Sequence, residues 1–141
     1  MKSNKSKIIT VFIKVFLTLF YSYCIYIVSS RDTSSVPLFP HIDKLIHFIE
    51  FGILGFMMCW VISSFGMKTK IFFYLLAIGI TSLYGASDEI HQFFTPHRSM
   101  DILDWLSDTL GATTAVIAWQ RIMSRRHIRK KLIPLTNVPR Q

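Results

Sequence analysis

Three short runs hold most of the side chains in this sequence that could do chemistry. The first has Asp43, Lys44, His47 and Glu50; the second has Asp88, Glu89, His91, Gln92 and Arg98; the third has Asp104 and Asp108. Side chains three or four apart share a helix face. That spacing predicts one stripe of Asp43, His47 and Glu50, a second of Tyr84, Asp88, His91 and Gln92, and a third of Asp101, Asp104 and Asp108. Carboxylates beside imidazoles can move protons as general acids and bases. They can also hold a hard divalent cation, although no H-E-x-x-H or similar ligand spacing is present. The bland alternative is a set of ion pairs that locks helices together. Arg98 is the expected internal partner, because a guanidinium bridges two carboxylates, with Lys44 second. A serine nucleophile drawn from Ser87 or Ser99 with His91 or His97 is conceivable, but nothing singles one out.

The elements that must carry these residues are apolar. Half the chain (51%) is hydrophobic and 17% is charged, against about a quarter charged in an average soluble domain. Long apolar blocks run over 8–29, 45–65, 71–87 and 102–123. A helix rises about 1.5 Å per residue, so each block approaches the roughly 30 Å of a hydrocarbon core. The expected fold is therefore all-α: one domain over 1–141, a polytopic bundle of four transmembrane helices. The first block is longer than the apolar core of a signal peptide and lacks a small-x-small cleavage site, so it is expected to remain as a span.

Charge orients the bundle. With the N- and C-termini cytoplasmic, most of the sixteen Lys and Arg fall inside, and Arg31, Lys44 and Arg98 fall outside. All eight acidic residues then lie at the outer ends, together with His41, His47, His91 and His97. Lys14, inside the first span, is expected to snorkel toward the cytoplasm, and Trp60, Trp105 and Trp119 fall near proposed helix ends. The net charge of +8 reflects membrane orientation and not nucleic-acid binding. The basic run 125–131 reads as a topology signal heading a disordered tail (124–141), with capacity for anionic lipid. Cys24 and Cys59 sit at different depths and are expected to stay unpaired.

Connections and small residues suggest the packing. The loop at 66–70 makes spans two and three antiparallel neighbours, and the loop at 95–100 ties span three to span four. The longest connection, 30–44, contains Pro37 and Pro40. Gly52, Gly55, Gly79, Gly111 and Ala115 offer close helix contacts. Phe48, Phe51, Phe56, Phe72 and Phe73 read as lipid-facing or packing surface. The polar stripes should face one another, because ionisable groups at membrane depth are costly against lipid and default to function.

The motif Asp43-Lys44-x-x-His47-Phe48-x-Glu50-Phe51-x-x-Leu54-Gly55 resembles the first signature of the VanZ-like membrane proteins. Asp88-Glu89-Ile90-His91-Gln92-x-Phe94-x-Pro96-x-Arg98-Ser99 and Asp104-x-x-x-Asp108-Thr109-Leu110-Gly111-Ala112 resemble the second and third. His97 departs from the pattern, since a glycine before the arginine is more usual. The resemblance implies a small multi-pass protein of the bacterial cytoplasmic membrane, associated with low-level resistance to teicoplanin and other lipid-bearing glycopeptides. It carries over Asp43, Lys44, His47, Asp88, Glu89, Gln92, Arg98, Asp104 and Asp108 as motif residues and implies no defined chemistry.

Three functions compete. One is an outward pocket that binds a wall precursor, lipid head group or glycopeptide without turnover. The second is an enzyme on an envelope lipid or lipid-linked sugar, using Glu50, Asp88, His47 or His91 with or without a divalent cation. The third is a transporter, disfavoured because the inner halves of the spans carry few polar residues to continue a path.

Overall fold

The computed structural model describes residues 4–31, 42–67 and 69–136, with side chains as far as 129. Asp32, His41, Pro37 and Pro40 lie outside the described residues. The described chain is helical: α1 (Asn4–Ser29), α2 (Ile42–Ile62) continued by a 3₁₀ turn (Ser63–Phe65), α3 (Lys70–Phe93) and α4 (Ile102–Thr136). Three of these, Asn4–Ser29, Ile42–Phe65 and Lys70–Phe93, are long and apolar enough to cross a membrane. In lipid each backbone N–H and C=O must find a partner within the protein, which a helix provides along its own length.

Each helix runs further than the apolar blocks suggest. The second helix starts early enough to include Asp43 and Lys44, and α3 continues past residue 87 to Phe93. As a result Asp43, Lys44, Asp88, Glu89, His91 and Gln92 stand on regular helix, while Arg98 and Asp101 lie in the connection between α3 and α4. α4 does not stop near 123 but runs to Thr136, so the basic segment after 123 is helical where a disordered tail was expected. Arg, Lys, Met and Leu are good helix formers, and nothing before Pro134 breaks the run.

Local signals end the helices where they turn. Gly66, at φ 61° and ψ 38°, closes the 3₁₀ turn in the left-handed conformation. After α3, Thr95 N–H bonds the Gln92 carbonyl at 2.9 Å and Pro96 prevents the helix from resuming. The Arg98 N–H then closes a turn onto the Thr95 carbonyl at 3.2 Å, with Pro96 and His97 at its centre. His97 has φ 60°. Proline followed by a positive φ is the pattern of a type II turn, whose third position favours glycine. The glycine usual in VanZ-like sequences thus has a backbone reason. We expect His97→Gly to raise the thermal midpoint in detergent, by up to about 1 kcal/mol of stability. A midpoint lower than that of the parent would contradict this account of the turn.

Packing is tightest between α2 and α4, with α3 against both and α1 at the edge. A Cβ on Gly55 would lie 2.9 Å from the Cα of Ala112, and one on Gly111 would collide with the Phe48 carbonyl oxygen. These two helices therefore touch backbone to backbone. Gly79 has nothing within 4 Å of such a Cβ, so it is not a contact residue as expected; Gly85 fills that role, against Asp108. Toward one end Cys59, Ile62, Ala77, Val116 and Trp119 form a core, and toward the other Ile25, Phe51 and Leu54 form a second. The phenylalanines divide accordingly: Phe51 is fully buried, Phe56 sets its edge on Trp119, and Phe72 is exposed. Cys24 and Cys59 are both free.

The first helix buries little besides Thr18, Ile25 and Ser29 and exposes Phe12, Phe16, Leu19 and Phe20. Polar ties hold it. The Tyr84 hydroxyl donates to the Ser22 carbonyl at 2.7 Å and Tyr21 to the Glu50 carbonyl at 3.3 Å. Lys14 donates to the Trp60 carbonyl at 3.0 Å and to Ser64 Oγ at 2.8 Å. Its ammonium thus reaches toward the expected end of the bundle, where it satisfies a carbonyl at the C-terminus of α2.

Candidate functional site

The start of α2, the end of α3 and the start of α4 meet at one end of the bundle. There His47, Asp88, Glu89, Gln92, Asp104 and Asp108 are buried, and Asp108 is fully buried. Two linked networks organise them.

Lys44 is the hub of the outer network. Its Nζ donates to Asp43 Oδ2 at 2.9 Å, Asp101 Oδ2 at 2.7 Å and Asp104 Oδ1 at 2.8 Å. Lys44 thus bridges three carboxylates, the role expected of it second to Arg98. Asp101 joins this network and also caps a helix. Its Oδ1 accepts the Leu103 N–H at 2.8 Å and so caps the N-terminus of α4. Its own N–H donates to Glu89 Oε2 at 2.8 Å. The hydrogen bond from Lys44 and that from the Leu103 N–H hold the Asp101 carboxyl below the usual carboxylate range.

The inner network centres on Asp108 and Glu89. His47 Nδ1 lies 3.0 Å from Asp108 Oδ1 and 3.9 Å from Glu89 Oε1. An ionised Asp108 only accepts, and in that state the contact would place a proton on Nδ1 and leave Nε2 for other work. Gln92 Nε2 donates to Asp88 Oδ2 at 2.9 Å and more weakly to Glu89 Oε1 at 3.4 Å. Arg98 in turn grips Gln92 Oε1 with Nε at 3.2 Å and Nη2 at 2.8 Å. The amide passes the pull of the guanidinium on to the carboxylates. Asp108 Oδ2 is buried without a hydrogen-bond partner among the described residues, against the Gly85 backbone. A Cβ at Gly85 would stand 2.6 Å from that oxygen, so any larger residue would have to displace the Asp108 carboxylate. Phe51 stacks beneath His47, its ring 6.2 Å away, and makes the floor apolar.

One expected member, His91, is placed apart. His91 packs on Tyr26 of α1, ring centres 4.5 Å apart, with Nε2 2.9 Å from Ser30 Oγ. The Ser30 hydroxyl donates to the Tyr26 carbonyl at 2.7 Å, so it accepts from His91 and ties α1 to α3. Helical phase explains the split. At about 100° per residue, Tyr84 and His91 lie almost in line, while Asp88, Gln92 and Glu89 are progressively rotated away. The expected stripe was wide enough to be shared between two neighbours. Glu50 lies one turn further along α2, half-buried and outside the hydrogen-bonded set just described. Ser87 is exposed and donates its hydroxyl to the Tyr84 carbonyl at 2.7 Å. Ser99 is exposed too.

The capping role of Asp101, a member of the third stripe, and the packing role of Gly85 were missed. An aspartate just before an apolar helical run is a capping signal, so Asp101 was legible. Gly85 had none, because its role depends on which face α4 presents.

Donor atoms of His47, Asp88 and Glu89 all lie within 4.8 Å of one another. One imidazole and two carboxylates suit a divalent cation of intermediate hardness, and the Asp108–His47 contact is the type of outer support that orients a ligating histidine.

The family model described as VanZ/LLP1 matches residues 2–124. The chain belongs to the VanZ/LLP1 family. No curated protein and no solved structure matches it. The VanZ/LLP1 match spans the four helices as far as 124 and takes in both networks, so the motif residues of the resemblance are the ones that these networks connect.

Proposed function

We propose that this VanZ/LLP1 protein crosses the bacterial cytoplasmic membrane four times, with both termini on the cytoplasmic side. On this reading α4 crosses beside α2, and the Asp/Glu/His/Arg cluster opens outward to bind a component of the cell envelope. Resistance to teicoplanin and related lipoglycopeptides would follow from that binding. The observation that carries the reading is the convergence of His47, Asp88, Glu89, Asp104 and Asp108, all buried, at one end of an otherwise apolar bundle. Ionisable groups within membrane-crossing helices are retained at a cost that function must justify. The candidate ligands are a wall precursor, a lipid head group or the glycopeptide itself, met through Lys44, Arg98 and the carboxylates.

The test is resistance in an expressing strain. Asp88→Asn and Arg98→Ala should return the inhibitory concentration of teicoplanin to that of the empty vector, at unchanged protein level. Full resistance in both variants would defeat the pocket reading.

One observation favours a second reading, an enzyme acting on an envelope lipid or lipid-linked precursor. The His47, Asp88 and Glu89 donors are close enough to share one cation. A cation there would polarise a phosphoryl or carbonyl oxygen or acidify a bound water, with Glu50 or Asp88 available to move a proton. Purified protein incubated with labelled envelope lipids should then yield a product that EDTA abolishes. Pure binding gives no product in either arm.

A further inference from the structure

At the end of the bundle away from the acid cluster, α4 continues past the start of α3 and leaves a cavity of about 520 Å³ in the angle between them. That volume is in the range of small-ligand sites. Its wall is apolar and polarizable, built from Phe73, Tyr74, Trp119 and Met123. Its rim is polar: Lys70 from α3 faces Gln120, Ser124 and His127 from α4. No acidic residue lines it. Lys70 makes its field positive, and the exposed Arg121, Arg125, Arg126 and Arg129 of α4 lie outside its lining. The first turn of α3 also lacks a side-chain cap, since Thr69 makes no such bond; its N–H groups add to the same sign of potential without making the site themselves.

We propose that this cavity is a binding site for one anionic phospholipid. The phosphate lies between Lys70 and His127, the glycerol meets Ser124 and Gln120, and an acyl chain runs along Phe73, Tyr74 and Met123. Two features single out a phospholipid. A free anion would leave the aromatic wall unused, and a neutral lipid would leave the rim uncompensated. Diffuse attraction of lipid to a basic helix gives about 1 kcal/mol per Lys or Arg wherever the residue sits. A built site differs, because only the residues on its rim should matter. The site is independent of the acid cluster and of the function proposed for it.

Native mass spectrometry of the full chain, released from micelles doped with equal phosphatidylglycerol and phosphatidylcholine, tests this. The wild type should retain phosphatidylglycerol over phosphatidylcholine by at least about tenfold. Lys70→Gln and His127→Gln, both at exposed positions, should each lower that preference about fivefold. Arg129→Gln, on the same helix but outside the cavity, should leave it unchanged. Millimolar inorganic phosphate or glycerophosphoglycerol should not displace the lipid. Equal retention of the two lipids, an equal loss for Arg129→Gln, or displacement by either soluble phosphate would overturn the assignment.

Discussion

Gly111→Ala is expected to leave little correctly folded protein. The added Cβ would collide with the Phe48 carbonyl oxygen and stand 2.9 Å from the Gly52 nitrogen. Both are backbone atoms of α2, so no rotamer change gives way, and α2 and α4 must part along their length. That separation opens the Gly55–Ala112 contact and stretches both the His47–Asp108 and the Lys44–Asp104 bonds. Overpacking in a well-filled core costs about 1–3 kcal/mol and sometimes more; here a rigid neighbour and two dependent polar networks put the cost at the upper end, about 3 kcal/mol. The measurement is the monodisperse yield in detergent together with the thermal midpoint. Gly79→Ala is the matched control, because nothing lies within 4 Å of its new methyl. It should be neutral or gain up to about 1 kcal/mol from helix propensity. A Gly111→Ala protein that melts with the wild type would refute the backbone contact between α2 and α4.

Lys44→Met should have the next largest effect. It keeps the apolar stem and removes the one ammonium that Asp43, Asp101 and Asp104 share. Breaking a buried charge pair costs about 3–5 kcal/mol. The Lys44 side chain is 19% exposed and that of Asp43 45%, so solvent relieves part of the loss, and about 2–3 kcal/mol at pH 7 is expected. Asp104, 8% exposed, carries most of it. The acid limb of the stability profile should change too. Asp101 titrates below its ordinary value because Lys44 and the Leu103 N–H bind the ionised form. A depressed carboxyl contributes fully above the unfolded pKa of about 3.9 and loses its contribution as the pH falls through the lower folded value. Wild-type stability should therefore drop below about pH 4, and Lys44→Met should show a shallower drop in that window. Detergent unfolding between pH 7 and pH 3 measures both. An unchanged midpoint at pH 7 would mean that the three carboxylates do not depend on Lys44.

The order of the helices and the identity of most of the polar residues were legible in the chain, because lipid forces long apolar runs and makes each charge within them conspicuous. What escaped was phase and partnership. The loops that tie α2 to α3 and α3 to α4 say nothing of the tightest pair, α2 with α4, which are not neighbours in sequence. His91 and Asp88 share a face loosely enough to meet different helices. Gly79 and Gly85 look alike on paper, and only the position of Asp108 tells them apart. The extension of α4 past 123 was hidden by its charge, which speaks of water but is no obstacle to helix formation.

The apolar floor under His47 has an electrical consequence. Phe51 and Leu54, and beyond them Cys59, Ala77 and Val116, form a layer with little capacity to carry charge. A membrane voltage falls across such an insulating layer and not across a hydrated vestibule. Moving one elementary charge through the whole drop is worth about 2.3 kcal/mol per 100 mV. On the four-span topology proposed above, an ion arriving among Lys44, Glu89 and Asp108 from the outer side stops short of that layer. Occupancy of the cluster should therefore be nearly the same in an energised cell as in a depolarised one.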